Sequence, residues 1–316
     1  MKLVITDGAT LNPGDLSWAP LAAFGEIVYH DTTPVELVTE RCGDADIIVS
    51  NKTIVSRETI QSARHLKMIA VTATGYNNID VAAAREAGIV VCNVPEYGTF
   101  SVAQHVFALL LELVNHVGMN AESTRNNGWT KAGTWSYTKK PVRELKDKVL
   151  GIVGFGRIGK QVAIIARAFG MKVIFNNRSV ISDKDAEQVS MEKLFSDSDV
   201  ITLHCPLTDG NRHFVDLRLL SMMKPGAILI NTSRGPLINE EALYTALQNK
   251  MLAGAALDVL SEEPPPAGHP LIDHPNCIVT PHTAWISVEA RARLLQQTVN
   301  NIDGFLKGIV KNNIIS

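Results

Sequence analysis

The sequence predicts an α/β protein made of two doubly wound, parallel-sheet domains. Three observations carry this. Short β-branched apolar runs alternate with segments of helical spacing, a βαβ rhythm that builds parallel sheets. The rhythm fades after about residue 118 and restarts strongly at residue 149. The length of 316 residues, at about 150 per domain, is enough for two such units.

In the first unit, residues 3–6, 27–29, 47–50, 68–71 and 89–91 have the composition of strands. Residues 34–41, 57–65 and 79–87 carry apolar side chains at helical intervals between them. A mostly apolar helix over about 101–118 follows the Pro95 and Gly98 break and reads as a connector between domains. Residues 126–148, rich in Gly, Trp, Lys and Thr, have weak periodicity and read as a surface crossing. Six strand candidates follow, at 149–153, 173–175, 200–203, 228–231, 255–258 and 278–280. Residues 287–306 have helical spacing with no strand after them, so this tail is expected to pack back on the first unit. The expected division is therefore 1–100 with 285–316, and 101–284. The run Glu262-Glu263-Pro264-Pro265-Pro266 must be a rigid loop.

Composition removes several classes of function. Thirty Lys and Arg against 32 Asp and Glu give a net charge of −2, which offers no bulk attraction for nucleic acid or anionic lipid. The most apolar stretch, 106–114, is interrupted by Glu112 and is far short of the roughly 20 residues of a spanning helix. The N-terminus turns acidic at Asp7 before a secretory signal could develop, so a cytoplasmic protein is expected. Cys42, Cys92, Cys205 and Cys277 form no CxxC pair, and the histidines form no HxxxH or HExxH pair. Neither a disulfide scaffold nor a metal site is expected.

Gly154-Phe155-Gly156-Arg157-Ile158-Gly159 lies between an apolar strand candidate and a helical pattern, the setting in which GxGxxG binds a dinucleotide. Gly154 permits the tight turn, Gly156 lets a pyrophosphate approach the backbone, and Gly159 lets helix and strand pack closely. The second unit is thus expected to be a Rossmann cofactor domain. The next strand ends in Asn176-Asn177-Arg178, where an NAD site usually places an acidic residue for the ribose. Asn177 removes the charge that would repel a 2′-phosphate, and Arg178 could pair with that phosphate, which favours NADP(H). NAD(H) is the alternative, with Asn177 on the ribose diol and Arg178 in solvent.

Three further strand ends offer Arg234, then Asp258 with Glu263 beyond it, and His282, at the sheet edge where open α/β folds bind ligands. Singly, each has an ordinary structural explanation. Together they suit reduction of a ketone beside a carboxylate: Arg234 clamps the carboxylate and stabilises charge growing on oxygen. His282 supplies the proton, and a neighbouring Glu263 favours its charged form.

These blocks resemble the D-isomer-specific 2-hydroxyacid dehydrogenase family, most closely its glycerate dehydrogenase (hydroxypyruvate reductase) branch. The resemblance spans essentially the whole chain. It is carried by Ala73-Thr74-Gly75-Tyr76-Asn77-Asn78-Ile79-Asp80, Ser101-Val102-Ala103-Gln104-His105, the glycine loop, Leu203-His204-Cys205-Pro206-Leu207-Thr208, Met223 through Gly235, Ala256-Leu257-Asp258-Val259 with Glu263-Pro264, and Pro281-His282. It implies Arg234, Glu263 and His282 as the catalytic trio, and a flavodoxin-like, discontinuous substrate domain beside the Rossmann domain. It implies cofactor contacts from Arg157, Ile158, Cys205, Pro206 and Thr232, with Asp258 at the nicotinamide carboxamide. The backbone at Thr74 and Gly75 is implied to receive the substrate carboxylate across a cleft that closes on substrate. Asn51 and Asn78 are further substrate-side candidates, for which turn capping is an equal explanation. Trp285 either walls the site against long substrates or caps the domain interface. A homodimer formed through the cofactor domain is also implied.

The chain departs from the family pattern at Asn177 and at Gln104, often Glu in relatives. The expected reaction is reduction of hydroxypyruvate or glyoxylate to the D-hydroxy acid. The alternatives are another D-2-hydroxyacid dehydrogenase, such as a short phosphoglycerate dehydrogenase, and a non-catalytic NAD(P)-sensing protein. The absence of a domain after Ser316 argues against the long phosphoglycerate enzymes, and Glu263 argues against formate dehydrogenase relatives, which need no supported proton donor.

Overall fold

A computed structural model describes residues 1–315. The chain divides into two compact units, Met1–Gly98 with Ile286–Ser316, and Thr99–Trp285.

The first unit runs β1 (Lys2–Ile5), α1 (Gly8–Leu11), α2 (Ala19–Ala22), β2 (Glu26–Tyr29), α3 (Val38–Cys42), β3 (Ile47–Ser50), α4 (Arg57–Ser62), β4 (Met68–Val71), α5 (Val81–Glu86) and β5 (Val90–Cys92). Its sheet is parallel in the order β2-β1-β3-β4-β5, the flavodoxin order. Every residue of β3 and β4 is buried, which is why both read as apolar runs without alternation. The Asp80 carboxylate accepts from Ala83 N–H at 2.8 Å and starts α5. Helices α1 and α2 have four residues each, too short to leave a periodic signal, and sequence reading passes over them.

The second unit opens with α6 (Thr99–Asn115), α7 (Val117–Arg125) and α8 (Gly128–Ala132). The apolar helix expected as a connector is thus the first element of this unit. The segment expected as a plain surface crossing holds the short α8. Then come β6 (Val149–Val153), α9 (Arg157–Ala168), β7 (Lys172–Asn176), β8 (Glu187–Gln188), α10 (Met191–Asp197), β9 (Val200–Leu203), α11 (Leu217–Met222), β10 (Ile228–Asn231), α12 (Glu240–Gln248), β11 (Gly254–Leu257) and β12 (Cys277–Val279).

The second sheet has seven strands, not the six expected, in the order β12-β11-β10-β9-β6-β7-β8. The extra strand is β8, two polar residues at the sheet edge with no apolar pattern to reveal it. Counting it restores the 3-2-1-4-5-6 Rossmann order, with β12 as an addition. Successive strand residues alternate between two core layers. Ile228 and Ile230 pack with Val106, Leu110, Val162 and Ala166 from α6 and α9, whereas Leu229 packs with Leu194, Leu220 and Leu243 on the other face.

The chain returns to the first unit as α13 (Val288–Leu306). Its Arg291, 6% exposed, donates to both carboxylate oxygens of Asp15 at 2.6 Å and to the Leu11 carbonyl at 3.2 Å. This bidentate pair anchors the C-terminal helix to the N-terminal segment. Among the described residues no single helix is long and apolar enough to cross a membrane.

Candidate active site

The glycine loop lies between β6 and α9, beside β9, where the strand order reverses. Gly154 has φ +93°, and a Cβ there would lie 2.6 Å from the Cys205 nitrogen, so the turn and the approach to the end of β9 both require glycine. A Cβ on Gly159 would lie 2.4 Å from the Gly154 carbonyl oxygen, so helix and strand pack too closely for any side chain. A Cβ on Gly156 would meet nothing within 4 Å. The protein therefore leaves space in front of the N-terminus of α9, where Arg157 and Ile158 begin the helix. The Thr232 hydroxyl, in the turn after β10, is buried with no hydrogen-bond partner among the described residues. An open glycine loop at a helix N-terminus and an orphaned hydroxyl after β10, at the same end of the parallel sheet, fit a dinucleotide.

After β7, the Asn177 side chain is engaged within the protein. Its Oδ1 accepts from Phe155 N–H in the glycine loop at 3.2 Å, and its Nδ2 donates to the Ser179 hydroxyl at 3.0 Å. Arg178 is exposed, with no ion-pair partner among the described residues. Cys205 and Pro206 follow β9, and the Cys205 carbonyl accepts from the Ser233 hydroxyl at 2.6 Å. Burial pushes the Cys205 thiol up to about 11, so it stays protonated. Burial pushes the neighbouring His204 down to about 3, leaving it neutral against Thr202 Oγ1 at 2.9 Å.

Arg234 ends the turn after β10. Buried Asn231 fixes that turn, donating to the Arg234 carbonyl at 2.8 Å and accepting from Ser233 N–H at 3.0 Å. The Arg234 guanidinium donates to the Ser233 carbonyl at 2.7 Å. A Cβ on the next residue, Gly235, would lie 2.0 Å from the Leu260 carbonyl carbon. The Arg234 turn therefore abuts the loop that carries Glu263. Glu263 Oε1 accepts from Leu260 N–H at 3.1 Å, and its Oε2 lies 2.6 Å from His282 Nδ1. An ionised carboxylate only accepts, so Nδ1 carries the hydrogen and Nε2 is the reactive nitrogen. The side chains of His282 and Glu263 are 24% and 36% exposed, accessible to a ligand yet held to each other.

His282 adopts a left-handed backbone, φ +54°, which costs a side-chain-bearing residue about 1–3 kcal/mol. The buried Asp258, at the end of β11, holds it. Asp258 Oδ1 accepts from the Thr280 hydroxyl at 2.6 Å and Thr283 N–H at 2.8 Å, and Oδ2 accepts from Ala284 N–H at 2.8 Å. Its carbonyl accepts from His282 N–H at 2.9 Å. Burial alone would raise the Asp258 pKa, but the hydrogen bonds from His105, Thr280, Ala284 and Thr283 outweigh it and keep the carboxyl below the usual range. The family resemblance implies a cofactor contact for Asp258; its hold on the His282 turn leaves no local signal in the sequence, because it joins residues more than twenty positions apart. Trp285, three residues after His282, is 8% exposed.

In the first unit the Asp7 carboxylate accepts from the backbone N–H groups of Asn51, Lys52 and Thr53, shaping the loop after β3. The Asn51 amide donates to the Thr72 carbonyl, while its Oδ1 is buried without a partner among the described residues. Asn78 donates to the Thr53 carbonyl at 2.8 Å and so braces the same loop. The Thr74 hydroxyl donates to the Val94 carbonyl at 2.9 Å. Among the described residues no group of three or more His, Cys, Asp or Glu side chains is arranged to hold a metal ion.

The profile of the D-isomer-specific 2-hydroxyacid dehydrogenase NAD-binding domain matches residues 107–284. A hydroxypyruvate reductase of Blautia hydrogenotrophica is 43% identical over 98% of both chains. A glycerate dehydrogenase of Methylorubrum extorquens is 39% identical over 90% of both. The acyclic imino acid reductase Bsp5, solved with NADPH and D-Arg, superposes with a TM-score of 0.86 at 33% identity, over 99% of this chain and 100% of its own. The chain is an α/β oxidoreductase with a nicotinamide-dinucleotide domain. It belongs to the D-isomer-specific 2-hydroxyacid dehydrogenase family.

Proposed function

We propose that this chain reduces a short 2-keto acid, hydroxypyruvate or glyoxylate, to the D-2-hydroxy acid with NADPH or NADH. The observation that carries the reading is the 2.6 Å contact between His282 Nδ1 and Glu263 Oε2, at the sheet edge that also bears the glycine loop and Arg234. The nicotinamide, when bound, supplies the hydride. Arg234 binds the substrate carboxylate and polarises the adjacent carbonyl, stabilising negative charge as it grows on oxygen. Glu263 orients the His282 ring, and His282 Nε2 delivers the proton to that oxygen. The names of the relatives at 43% and 39% identity support hydroxypyruvate and D-glycerate as the pair.

Gly154, Gly156, Arg157, Ile158 and Gly159 would hold the pyrophosphate, and Cys205, Pro206, Thr232 and Asp258 the nicotinamide half. The Thr74 and Gly75 backbone, with Asn51 and Asn78 shaping the neighbouring loop, would take the substrate carboxylate, and Trp285 would limit substrate length. An exposed Arg178, without an ion-pair partner among the described residues and beside a neutral Asn177, supports NADP(H), as does the NADPH of the imino acid reductase; the "NAD binding" description of the family profile supports the alternative. Exposed apolar side chains between residues 117 and 142, including Trp129 and a Trp135 that is 98% exposed, support a homodimer through this unit, which light scattering after gel filtration tests. Four free thiols support a reducing, cytoplasmic compartment.

The test is kcat/KM for hydroxypyruvate with NADPH and with NADH, for the unaltered chain and for Arg178→Ala. Turnover favouring NADPH, with the preference lost in the variant, supports the whole reading. Preference for NADH keeps the reductase and discards the role of Arg178. Binding of nucleotide without turnover of any short 2-keto acid overturns the proposed reaction.

A further inference from the structure

The turn that carries His282 is held from beneath by the first turns of α6, through two side chains four residues apart. The Ser101 hydroxyl donates to the Ala284 carbonyl at 2.7 Å. His105 Nε2 lies 3.1 Å from Thr280 Oγ1 and 3.3 Å from Asp258 Oδ1. Residues i and i+4 of a helix stand on one face, one above the other. Ser101 and His105 therefore grip the 280–284 turn at its two ends, one on each side of His282.

The proton inventory fixes how His105 acts. The Thr280 hydroxyl has one hydrogen, and it is committed to the Asp258 carboxylate at 2.6 Å. A bond between Thr280 Oγ1 and His105 Nε2 therefore needs the hydrogen on Nε2, so His105 is the donor, with Asp258 Oδ1 as a second acceptor. The Asp258 side chain is fully buried and that of His105 is 22% exposed. A buried carboxylate is costly unless its oxygens are satisfied, and loss of one donor frees it to shift. Asp258 is also the group that receives Thr283 and Ala284 N–H, the residues immediately after the left-handed His282.

We infer that His105 is a positioning residue for the reaction: with Ser101 it locks Thr280 and Asp258, which set the backbone that aims the His282 imidazole. The inference rests on the proposed role of His282 as proton donor. His105 lies 175 residues from Thr280 in the chain and takes no part in the Glu263 pair, so it acts on His282 through Thr280 and Asp258.

The experiment compares the full-length unaltered chain, His105→Leu, His105→Gln, Ser101→Ala and His282→Gln, and the double variant His105→Leu/His282→Gln. It reads kcat with hydroxypyruvate and the dissociation constant of the preferred nucleotide. Misplacing a reacting group by about 1 Å costs up to about a hundredfold, so H105L is expected to lower kcat by about ten- to a hundredfold. Nucleotide affinity should fall by less than kcat does, because Asp258 is one of several residues proposed to hold the nucleotide. Glutamine can put an N–H where Nε2 stands, so H105Q should recover kcat to within about threefold, and S101A should fall between the two. In the H282Q background, H105L should cost nothing further, since residues acting through one group are non-additive.

Unchanged kcat in H105L overturns the inference, as does an equal loss from H105L with and without His282, which would mark a general structural role. If H105L does not fold, H105Q and S101A carry the same cycle with H282Q, and full additivity there overturns it. Absence of turnover in the unaltered chain overturns the proposed function and this inference with it; a fully active H105L overturns the inference alone.

Discussion

Replacing Glu263 by Gln isolates what its charge contributes to the proton donor. The carboxylate accepts from His282 Nδ1 at 2.6 Å, within the range of a charge-assisted bond. Such a bond is worth about 1.5–3 kcal/mol, and side chains 24% and 36% exposed place this one at the lower end because water screens it. The glutamine carbonyl oxygen can still accept from Nδ1, so ring orientation survives while the support for a charged ring is lost. A loss of about 1.5–2 kcal/mol is roughly a ten- to thirtyfold fall in kcat. Alanine removes orientation as well, and the loss should grow to about a hundredfold or more. The assay is steady-state kcat at saturating hydroxypyruvate and nucleotide, with nucleotide affinity from fluorescence titration. A glutamine variant that keeps kcat within twofold, or a loss of nucleotide affinity in proportion to activity in both variants, would refute this role for the Glu263 charge.

Other consequences reach the fold and the cofactor loop. Gly156→Ala should leave stability within about 0.5 kcal/mol, because its Cβ meets no protein atom within 4 Å, yet weaken nucleotide binding at least tenfold. Gly154→Ala should cost about 1–3 kcal/mol in urea unfolding as well, since φ +93° and a 2.6 Å approach to Cys205 both oppose a side chain. Burial depresses His204 to about 3, so the unfolded chain binds a proton that the folded chain refuses between about pH 6.5 and 3; stability should fall by up to about 1.4 kcal/mol per pH unit as pH drops through that window. Urea midpoints at pH 7.5 and pH 5 should show this in the unaltered chain and less of it in His204→Gln; equal pH dependence in both refutes the assignment. Burial raises Cys42, Cys92, Cys205 and Cys277 to between about 11 and 12, so native protein should react slowly with iodoacetamide at neutral pH and all four thiols should react in urea. One rapidly labelled native thiol would contradict that.

The parts of the fold that were legible in the sequence are those whose signal is local. Strands β3, β4, β9 and β10 are buried on both faces and read as apolar runs with at most one polar residue each. The glycine loop is legible because each glycine answers a steric demand of its own strand–turn–helix. Strand β8 is two polar residues at an edge, and α1 and α2 are single turns, so neither apolar content nor periodicity marks them. Within the site, Arg234, Glu263 and His282 were visible as reactive types at strand ends. The work of Asp258, Thr280, Ser101 and His105 was not, because it is made of hydrogen bonds between residues far apart in the chain. Asn177 shows the same limit: its sequence position suggests only a cofactor contact, whereas its amide also ties the end of β7 to Phe155 in the glycine loop.

The most direct test of the central claim is the kcat of His282→Gln against the unaltered chain on hydroxypyruvate, with nucleotide affinity measured on the same samples. Positioned acid–base catalysis contributes about 10²–10⁴-fold, and kcat should fall by that factor with nucleotide affinity unchanged. A fall of less than about tenfold, or a loss of activity that follows a loss of nucleotide binding, would mean that His282 is not the proton donor.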